Sequence, residues 1–174
     1  MNPIQLLSAF IYQQAEAYKK NKYKQVLKKY NFPDTISHNV SLTNPGNISI
    51  GNNSYMNSGQ IVAGEKSKVI IGDWCAIGYN VHIKAQTHDV NRPTGPCRKI
   101  GDGIKEEDII IGNHVWIGDN VYIKEGVHIG DDVIIGANSM VTKDFGDNVI
   151  IGGNPAHILR KRDTVRINNL SPTN

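Results

Sequence analysis

The feature that most constrains the fold of this chain is a six-residue repeat. In the stretch IIIGNHVWIGDNVYIKEGVHIGDDVIIGANSMVTKD an aliphatic residue returns at every sixth position, and these residues are Ile111, Ile117, Ile123, Ile129, Ile135 and Val141. Gly directly follows four of them. Neither the 3.6-residue period of an α-helix nor the two-residue period of a simple strand produces this spacing.

A period of six is typical of a chain that winds into a prism. The position two residues before each repeated aliphatic is small or aliphatic as well, as at Val115, Val121, Val127 and Val133. Two inward positions separated by one outward position make a very short strand, and the following Gly suits a sharp bend where a side chain is unwelcome. Three units close a coil of about 18 residues, and coils stack about 4.8 Å apart. With the upstream units IGDWCA and IGYNVH, the pattern predicts an all-β solenoid, a parallel β-helix of about five coils.

The repeat is interrupted once, between Ile83 and Ile111, by a number of residues that is not a multiple of six. The interrupting segment is rich in Pro, Gly and charged residues, so we expect a loop, residues 84–108, that protrudes from the solenoid. A long loop on a regular scaffold usually carries function. This loop contains His88.

The two ends differ from the middle. Residues 1–32 predict a helical segment, because Asn2 can cap it, Pro3 suits its first turn and Pro33 disfavours helix before it. We assign residues 33–156 to the β-helix domain and residues 157–174 to a short C-terminal helix and polar tail.

Charge and composition exclude some classes of protein. Residues 1–32 carry six Lys and one Glu, whereas residues 33–156 carry nine basic and fourteen acidic residues. The net charge of +3 is too small to indicate a nucleic-acid partner. No apolar run is long enough for a membrane span, the first residues do not form a typical signal peptide, and the two cysteines have no metal-binding spacing. We therefore expect a cytoplasmic protein without a metal site.

Several motifs together resemble one family. The repeats, the loop with a single His, and the segments HVWIGDNVYI, ANSMVTKD and GGNPAHILRKR are similar to the hexapeptide-repeat acyltransferases over about residues 48–162. The resemblance implies a left-handed parallel β-helix, a homotrimer, and transfer of the acetyl group of acetyl-CoA to a saccharide hydroxyl. Ordinary crossover chirality would predict the opposite hand. The most similar subgroups are the sugar O-acetyltransferases and the xenobiotic acetyltransferases.

The same resemblance implies roles for seven residues. Two act on the acceptor: His88 as the catalytic base, and Asn57, in SYMNSG, as a group that holds the acceptor hydroxyl. Five contact CoA, and they are Trp116, Ala137, Thr142, Lys143 and Arg160. His157 departs from the family pattern, which has Arg or Lys at this point.

The chemistry of acetyl transfer to an alcohol gives a reason for a histidine at the active site that does not depend on the resemblance. An alcohol is a weak nucleophile at neutral pH, and an imidazole with a pKa near 6.5 is often unprotonated and can remove its proton. One ring nitrogen accepts that proton, so the other should donate a hydrogen bond to a fixed acceptor. Asp89, Asp102, Glu106 or a backbone carbonyl could serve, and the sequence does not choose among them.

Other functions remain open at this point. Within the same class, the chain could be a xenobiotic or antibiotic O-acetyltransferase, or a sugar N-acetyltransferase. The γ-carbonic anhydrases are a different class of protein with the same prism. They bind zinc through histidines, two of which are separated by four residues. Here His82 and His88 have five residues between them. A non-catalytic scaffold is a further alternative. The sequence does not identify the acceptor.

Overall fold

The N-terminal segment forms one long helix in the computed structural model, which describes residues 2–91 and 103–162. Helix α1 spans Pro3–Lys29, and Asn2 caps it in a reciprocal pair of hydrogen bonds with Gln5. The predicted helix and its predicted cap are thus confirmed. No helix among the described residues is long and apolar enough to cross a membrane.

The described chain after α1 consists mainly of very short strands. They are β1 (Val40–Thr43), β2 (Ile48–Ile50), β3 (Tyr55–Met56), β4 (Gly59–Val62), β5 (Val69–Ile71), β6 (Ala76–Ile77), β7 (Val81–Lys84), β8 (Gln86–His88), β9 (Ile104–Glu106), β10 (Ile109–Ile111), β11 (Trp116–Ile117), β12 (Tyr122–Ile123), β13 (His128–Ile129), β14 (Ile134–Ile135), β15 (Met140–Val141), β16 (Val149–Gly152) and β17 (His157–Lys161). A 3₁₀ turn, Pro45–Asn47, joins β1 to β2.

Fourteen of these strands form three parallel sheets that the chain visits in turn. Sheet A has the order β16-β14-β11-β6-β3, sheet B the order β1-β4-β7-β12-β15, and sheet C the order β13-β10-β5-β2. The chain passes from C to A to B and back to C, and Phe145 bridges to Ile129 to continue sheet C by one position. This three-sided, coiled arrangement of short parallel strands is the one that the repeat predicts.

Strand pairing shows the length of each coil. In the regular part, Ile110 pairs with His128 and Trp116 pairs with Ile134, so each coil takes the predicted 18 residues. Across the interruption, Ile70 pairs with Ile110, a separation of 40 residues. The stack therefore continues past the insertion without a missing strand, and the extra residues leave the prism as predicted.

The core is built from the repeat positions. The repeated aliphatics of the regular part are all buried, and so are the small or aliphatic residues two positions before them; the buried set includes Ile71, Cys75, Ile77, Val81, Ile83, Ile111, Val115, Ile117, Val121, Ile123, Val127, Ile129, Val133, Ile135 and Val141. The outward residue between each pair is exposed or half-buried, as at Trp116 and Met140. The predicted inward and outward positions are confirmed.

The sequence predicts that the corner glycines allow a sharp bend, but in the structure they allow close packing between neighbouring coils. A Cβ atom on Gly112 would lie 2.7 Å from the carbonyl carbon of Gly130 in the next coil, so these positions are free of side chains because neighbouring coils approach closely. The left-handed backbone conformation occurs two residues later instead, at Asn53, Trp74, Asn80, His114, Asn120, Asp132, Asn138 and Asn148. Asn and Asp tolerate this conformation better than most residues.

The prediction of a C-terminal helix is wrong for the described residues. His157–Lys161 form β17, which pairs antiparallel with β16 at the edge of sheet A. An edge strand exposes unpaired backbone N–H and C=O groups, and β17 satisfies those of β16 in a way that a helix could not. Residues 163–174 of the predicted tail lie outside the described residues.

Candidate active site

The insertion leaves the prism at the corner between sheets B and C as a short antiparallel hairpin. Strands β8 and β9 pair so that Thr87 lies opposite Lys105 and His88 lies opposite Ile104. At its base, the Glu107 N–H donates to the Ala85 carbonyl at 3.1 Å. The hairpin therefore gives His88 a defined backbone position, and the His88 side chain is exposed to solvent.

A carboxylate joins the hairpin to the preceding coil. Glu106 of β9 accepts hydrogen bonds from the backbone N–H groups of Lys66, at 2.7 Å, and Ser67, at 3.1 Å. Residues 66 and 67 form the corner between sheets B and C one coil earlier. Hydrogen bonds to an ionised carboxylate are stronger than those between neutral groups, so Glu106 fixes this side of the hairpin.

An ion pair with a buried carboxylate joins the opposite side of the hairpin to the following coil. The Glu125 side chain is only 2% exposed, and its Oε1 lies 2.6 Å from Lys124 Nζ and 3.6 Å from Lys105 Nζ. Lys105 Nζ also lies 2.9 Å from Glu107 Oε2, and this hydrogen bond is the main cause of the raised pKa of Lys105. Burial, followed by the charge of Glu125, raises the pKa of Tyr122. We call Glu106, Lys105 and Glu125 the hairpin clamp.

The clamp occupies one carboxylate oxygen, Oε2, of one of the groups considered as a partner for the His88 ring. Glu106 already receives two backbone N–H groups, and it lies opposite Gln86 rather than opposite His88. Asp89 accepts from the Asn91 N–H at 2.9 Å through one carboxylate oxygen, which leaves its second oxygen as a candidate. Asp102 lies outside the described residues.

Asn57 and Ala137 lie at a different corner. Asn57 follows β3 and Ala137 follows β14, so both are at the corner between sheets A and B. The Asn57 N–H donates to the Ile77 carbonyl at 3.1 Å, and the residue is half-buried, whereas Ala137 is exposed. Because this corner is at the opposite end of sheet B from the hairpin, one chain does not bring Asn57 and His88 together.

Trp116 and Arg160 share the outer face of sheet A. Trp116 pairs with Ile134, Ile134 with Ile150, and Ile150 with Arg160, so the four residues form one row across the strands. Three strand spacings separate the ends of the row by about 14 Å. Trp116 is 57% exposed, and Arg160 is also exposed, with its guanidinium donating to the Lys161 carbonyl at 3.2 Å.

Thr142 and Lys143 lie on the same corner as the hairpin. They follow β15, which is two strands beyond β7 in sheet B, so they are about 10 Å along the stack from the hairpin base. Both are exposed, and Lys143 Nζ lies 5.7 Å from the centre of the Phe145 ring. The seven predicted residues are thus distributed over two corners and one face of the prism.

Sequence reasoning did not find the ion pair between Lys105 and Glu125. A signal for it was present, because the unit that begins at Ile123 has Lys124 in place of the usual Gly and moves its glycine to Gly126. Gly126 has a φ of +80°, and a Cβ there would clash with Glu107 of the hairpin. The irregular unit is therefore the one on which the hairpin rests. Among residues 2–91 and 103–162, no group of three or more His, Cys, Asp and Glu side chains could hold a metal ion.

Comparison with known proteins agrees with this architecture. The sequence profile of the family "Bacterial transferase hexapeptide (six repeats)" matches residues 108–143. Galactoside acetyltransferase, solved in complex with coenzyme A, superimposes with a TM-score of 0.60 and 30% identity, over 83% of this chain and 81% of that one. The chain belongs to the hexapeptide-repeat acyltransferase family.

Two further similar proteins are informative. The galactoside O-acetyltransferase of Escherichia coli K12 is 41% identical over 115 residues, which are 66% of this chain and 54% of that protein. The N-acyltransferase AntD of Bacillus cereus, solved with dTDP-4-amino-4,6-dideoxyglucose and coenzyme A, is 30% identical over 73% of this chain and 80% of that one, with a TM-score of 0.54. The chain spans just over half the length of the curated relatives that it matches.

Proposed function

We propose that this protein is an O-acetyltransferase that moves the acetyl group of acetyl-CoA to a hydroxyl of a saccharide, with His88 as the general base. The observation that carries the proposal is the exposed His88 on a hairpin clamped to both neighbouring coils, in a chain of this family. The similarity to galactoside O-acetyltransferase supports a sugar acceptor, and we infer a polysaccharide precursor or a nucleotide sugar.

The proposed reaction proceeds by direct transfer. Neutral His88 removes the proton of the acceptor hydroxyl as its oxygen attacks the thioester carbonyl, so a C–O bond forms and the C–S bond then breaks. The imidazolium returns its proton to the departing CoA thiolate. Positioned general-base catalysis of this kind contributes about 10²–10⁴-fold to the rate. Asn57 holds the acceptor hydroxyl, and a backbone N–H group stabilises the oxyanion.

We further propose that CoA lies along sheet A. The row from Trp116 to Arg160 offers an exposed aromatic face for the pantetheine arm and a cation for the phosphates. Ala137 lies at the neighbouring corner, where its backbone can contact the arm. Thr142 and Lys143 contribute from the corner that also carries the hairpin.

From the family resemblance we infer a homotrimer with left-handed coils, and the separation of these residues supports contact between copies. His88 is at the corner between sheets B and C, whereas Trp116 and Asn57 belong to sheet A and its far corner. The hairpin of one copy can meet these groups only on a second copy packed beside it. We therefore place each active site between two subunits, and a cytoplasmic location follows from acetyl-CoA as the donor.

Acetyl transfer is tested by measuring free thiol release from acetyl-CoA with a panel of saccharide acceptors. His88→Ala should lower turnover by about 10²–10⁴-fold on the best acceptor while leaving the melting temperature and CoA binding nearly unchanged. The matched control is His128→Ala, another exposed histidine, which lies in β13 of sheet C and outside the hairpin. Near-normal turnover of His88→Ala would refute the general-base role, and no thiol release with any acceptor would refute the proposed activity.

Transfer to an amine is the second candidate, and the similarity to AntD favours it. The same assay with amino sugars distinguishes the two reactions. Mild alkali hydrolyses an acetyl ester and leaves an acetamide intact, so the stability of the product identifies the attacked atom. An alkali-stable product formed faster on amino sugars than on their hydroxyl counterparts would replace the O-acetyltransferase proposal.

A further inference from the structure

A cavity of about 460 Å³ lies between the second half of α1 and residues 34–38, which precede β1. Leu27 of the helix and Ile36 of the facing segment form part of its wall, and each is only 4% exposed. Polar side chains of both elements complete the wall. A concave site of this volume, with an apolar wall and a few polar groups, is the usual form of a small-molecule site.

The charged side chains around this cavity are mainly basic. Lys20 and Lys24 line it from α1, about one helical turn apart, and His38 lines it from the facing segment together with one acidic residue, Asp34. The one acidic residue of α1, Glu16, lies 3.1 Å from Lys19 and therefore pairs outside this set of lysines. Two lysines beside an apolar wall favour a ligand that carries a negatively charged group, because an ammonium group binds phosphate or carboxylate as a point charge.

The same cavity lies beside the residue that we propose to hold the acceptor hydroxyl. Ile36 forms a parallel bridge with Met56, and the Ser37 N–H donates to the Met56 carbonyl at 3.0 Å. Ser37, which lines the cavity, is therefore next to Asn57, one strand spacing of about 4.8 Å along the stack. An acceptor with its hydroxyl at Asn57 can thus place another part of the same molecule in the cavity.

CoA, the other anionic ligand of the proposed reaction, is expected elsewhere. Arg160, which we propose for its phosphates, is in β17, whereas Met56, beside the cavity, is in β3. These strands are the two edges of sheet A, about 24 Å apart. The proposed CoA site runs from Arg160 towards Trp116, so its phosphate end is the end away from the cavity. The acceptor is therefore the ligand that fits the cavity.

We propose that the acceptor is a saccharide with a phosphate or carboxylate group, and that this cavity binds its anionic part. Lys20 and Lys24 contact the anion, and the wall that contains Leu27 and Ile36 packs against the neighbouring part of the ligand. The hydroxyl that receives the acetyl group lies at Asn57. The assignment of this ligand as the acceptor rests on the proposed acetyl transfer, whereas its binding is measurable without turnover.

The test is titration calorimetry of the full chain with glucose 1-phosphate, glucuronic acid and neutral methyl glucoside. At least one of the two anionic sugars should bind at least tenfold more tightly than methyl glucoside, and the tighter one identifies the anionic group. High salt should reduce this preference, because it screens exposed charges. The double variant Lys20→Gln/Lys24→Gln should lose the preference, while its affinity for CoA should remain.

Two pairs of variants separate the cavity from the rest of the helix. Lys22→Gln/Lys29→Gln removes the same charge from exposed positions about 170° away on the helix surface, and it should retain the preference. Ala17→Trp places a bulky ring at an exposed position of the cavity wall and should weaken binding of the anionic sugar at least tenfold. Ala15→Trp is its control, because Ala15 is exposed about 160° from the middle of the two cavity lysines. Melting temperatures verify that each variant is folded.

Three results would overturn the proposal. The first is equal affinity for the anionic and neutral sugars, and the second is equal loss of the preference in the two double lysine variants. The third is an unchanged kcat/KM for an anionic acceptor in Lys20→Gln/Lys24→Gln, where we expect at least a tenfold decrease in the thiol-release assay. Absence of thiol release with every acceptor would instead refute the proposed acetyl transfer, because the calorimetric preference does not depend on turnover.

Discussion

At the scale of single residues, each corner of the prism has two requirements: space for the neighbouring coil and a residue in the left-handed backbone conformation. The sequence pattern alone does not show that different residues meet them. Glycines such as Gly112 allow neighbouring coils to approach, while residues such as His114 adopt the left-handed backbone conformation that turns the chain. The asparagines at the corner between sheets A and B add a side-chain ladder, with hydrogen bonds from Asn80 to Asn120 at 2.9 Å and from Asn120 to Asn138 at 3.1 Å. Each requirement can be tested by one substitution.

The close approach predicts different outcomes for two similar glycines. Gly112→Ala should lower the free energy of unfolding by about 1–3 kcal/mol, because its Cβ would meet the Gly130 backbone at 2.7 Å. Gly146→Ala is the matched control, since a Cβ there meets nothing within 4 Å. That change should be neutral or stabilising by about 0.4–1 kcal/mol. Thermal unfolding of both variants measures the difference, and equal destabilisation would contradict the packing argument.

The Tyr23 hydroxyl offers a second residue-scale prediction. It is buried without a hydrogen-bond partner in the part of the chain that the structure describes, and burial raises the pKa of this phenol. Tyr23→Phe removes the unsatisfied oxygen and should stabilise the fold by about 1 kcal/mol at neutral pH.

The pH dependence of this effect has a definite sign. A phenol whose pKa is higher in the folded state contributes stability that is complete below the unfolded pKa, about 10, and is lost as the pH rises above it. Denaturant unfolding between about pH 9 and 11 should therefore show a smaller alkaline loss of stability in Tyr23→Phe than in the wild type. Tyr12→Phe, at an exposed position, should change neither quantity. An identical alkaline loss in Tyr23→Phe and the wild type would contradict the assignment.

At the scale of elements, the hairpin is the one part of the described chain that leaves the prism and is also anchored to it on two sides. Glu106 connects it to the preceding coil and Lys105 connects it to Glu125 of the following coil. Since Lys105 lies opposite Thr87, next to His88, the ion pair acts on the segment that carries the proposed base.

Glu125 has two lysine partners, and only Lys105 belongs to the hairpin. Substituting each lysine in turn therefore tests whether anchoring the hairpin matters for turnover. Lys105→Met should lower turnover at least tenfold, because β9 loses its contact with the following coil, while CoA binding should remain. Lys124→Met is the matched control: it removes the other cation beside Glu125 but does not touch the hairpin. Both variants should lose some stability, because a buried carboxylate with fewer partners is costly. Equal turnover losses in the two variants would show that Glu125 serves only the stability of the corner.

At the scale of the whole molecule, the distribution of the site residues predicts an assembly. Because His88 and Trp116 lie on different sides of one prism, the proposed reaction, which uses both residues, calls for at least two copies in contact. Sedimentation velocity at micromolar concentration should show a trimer.

Mixing provides a direct test of the shared site. His88→Ala and Asn57→Ala subunits, each weakly active alone, should regain part of the wild-type turnover when they are unfolded together and refolded, because some interfaces then combine an intact His88 with an intact Asn57. A monomer that is fully active, or a mixture without any gain, would place the whole site within one chain.

Much of the architecture was determined by the sequence itself. The six-residue period specified the short strands, the inward Ile and Val positions, the 18-residue coil and the place where the insertion leaves it, because each of these depends on local spacing along the chain. The cap at Asn2 and the end of α1 near Pro33 are local for the same reason.

Only the tertiary structure decided which distant segments meet. The pairing of Lys105 with Glu125, the strand at His157–Lys161 in place of a helix, and the placement of His88 and Asn57 at opposite ends of sheet B all depend on how coils stack. The same is true of the side of α1 that faces the coils. A repeating pattern states which residues point inward, but every coil has the same pattern. The contacts of a residue that departs from the repeat, such as Glu125, therefore depend on which coils lie next to each other. The sequence of a single repeat does not specify this stacking.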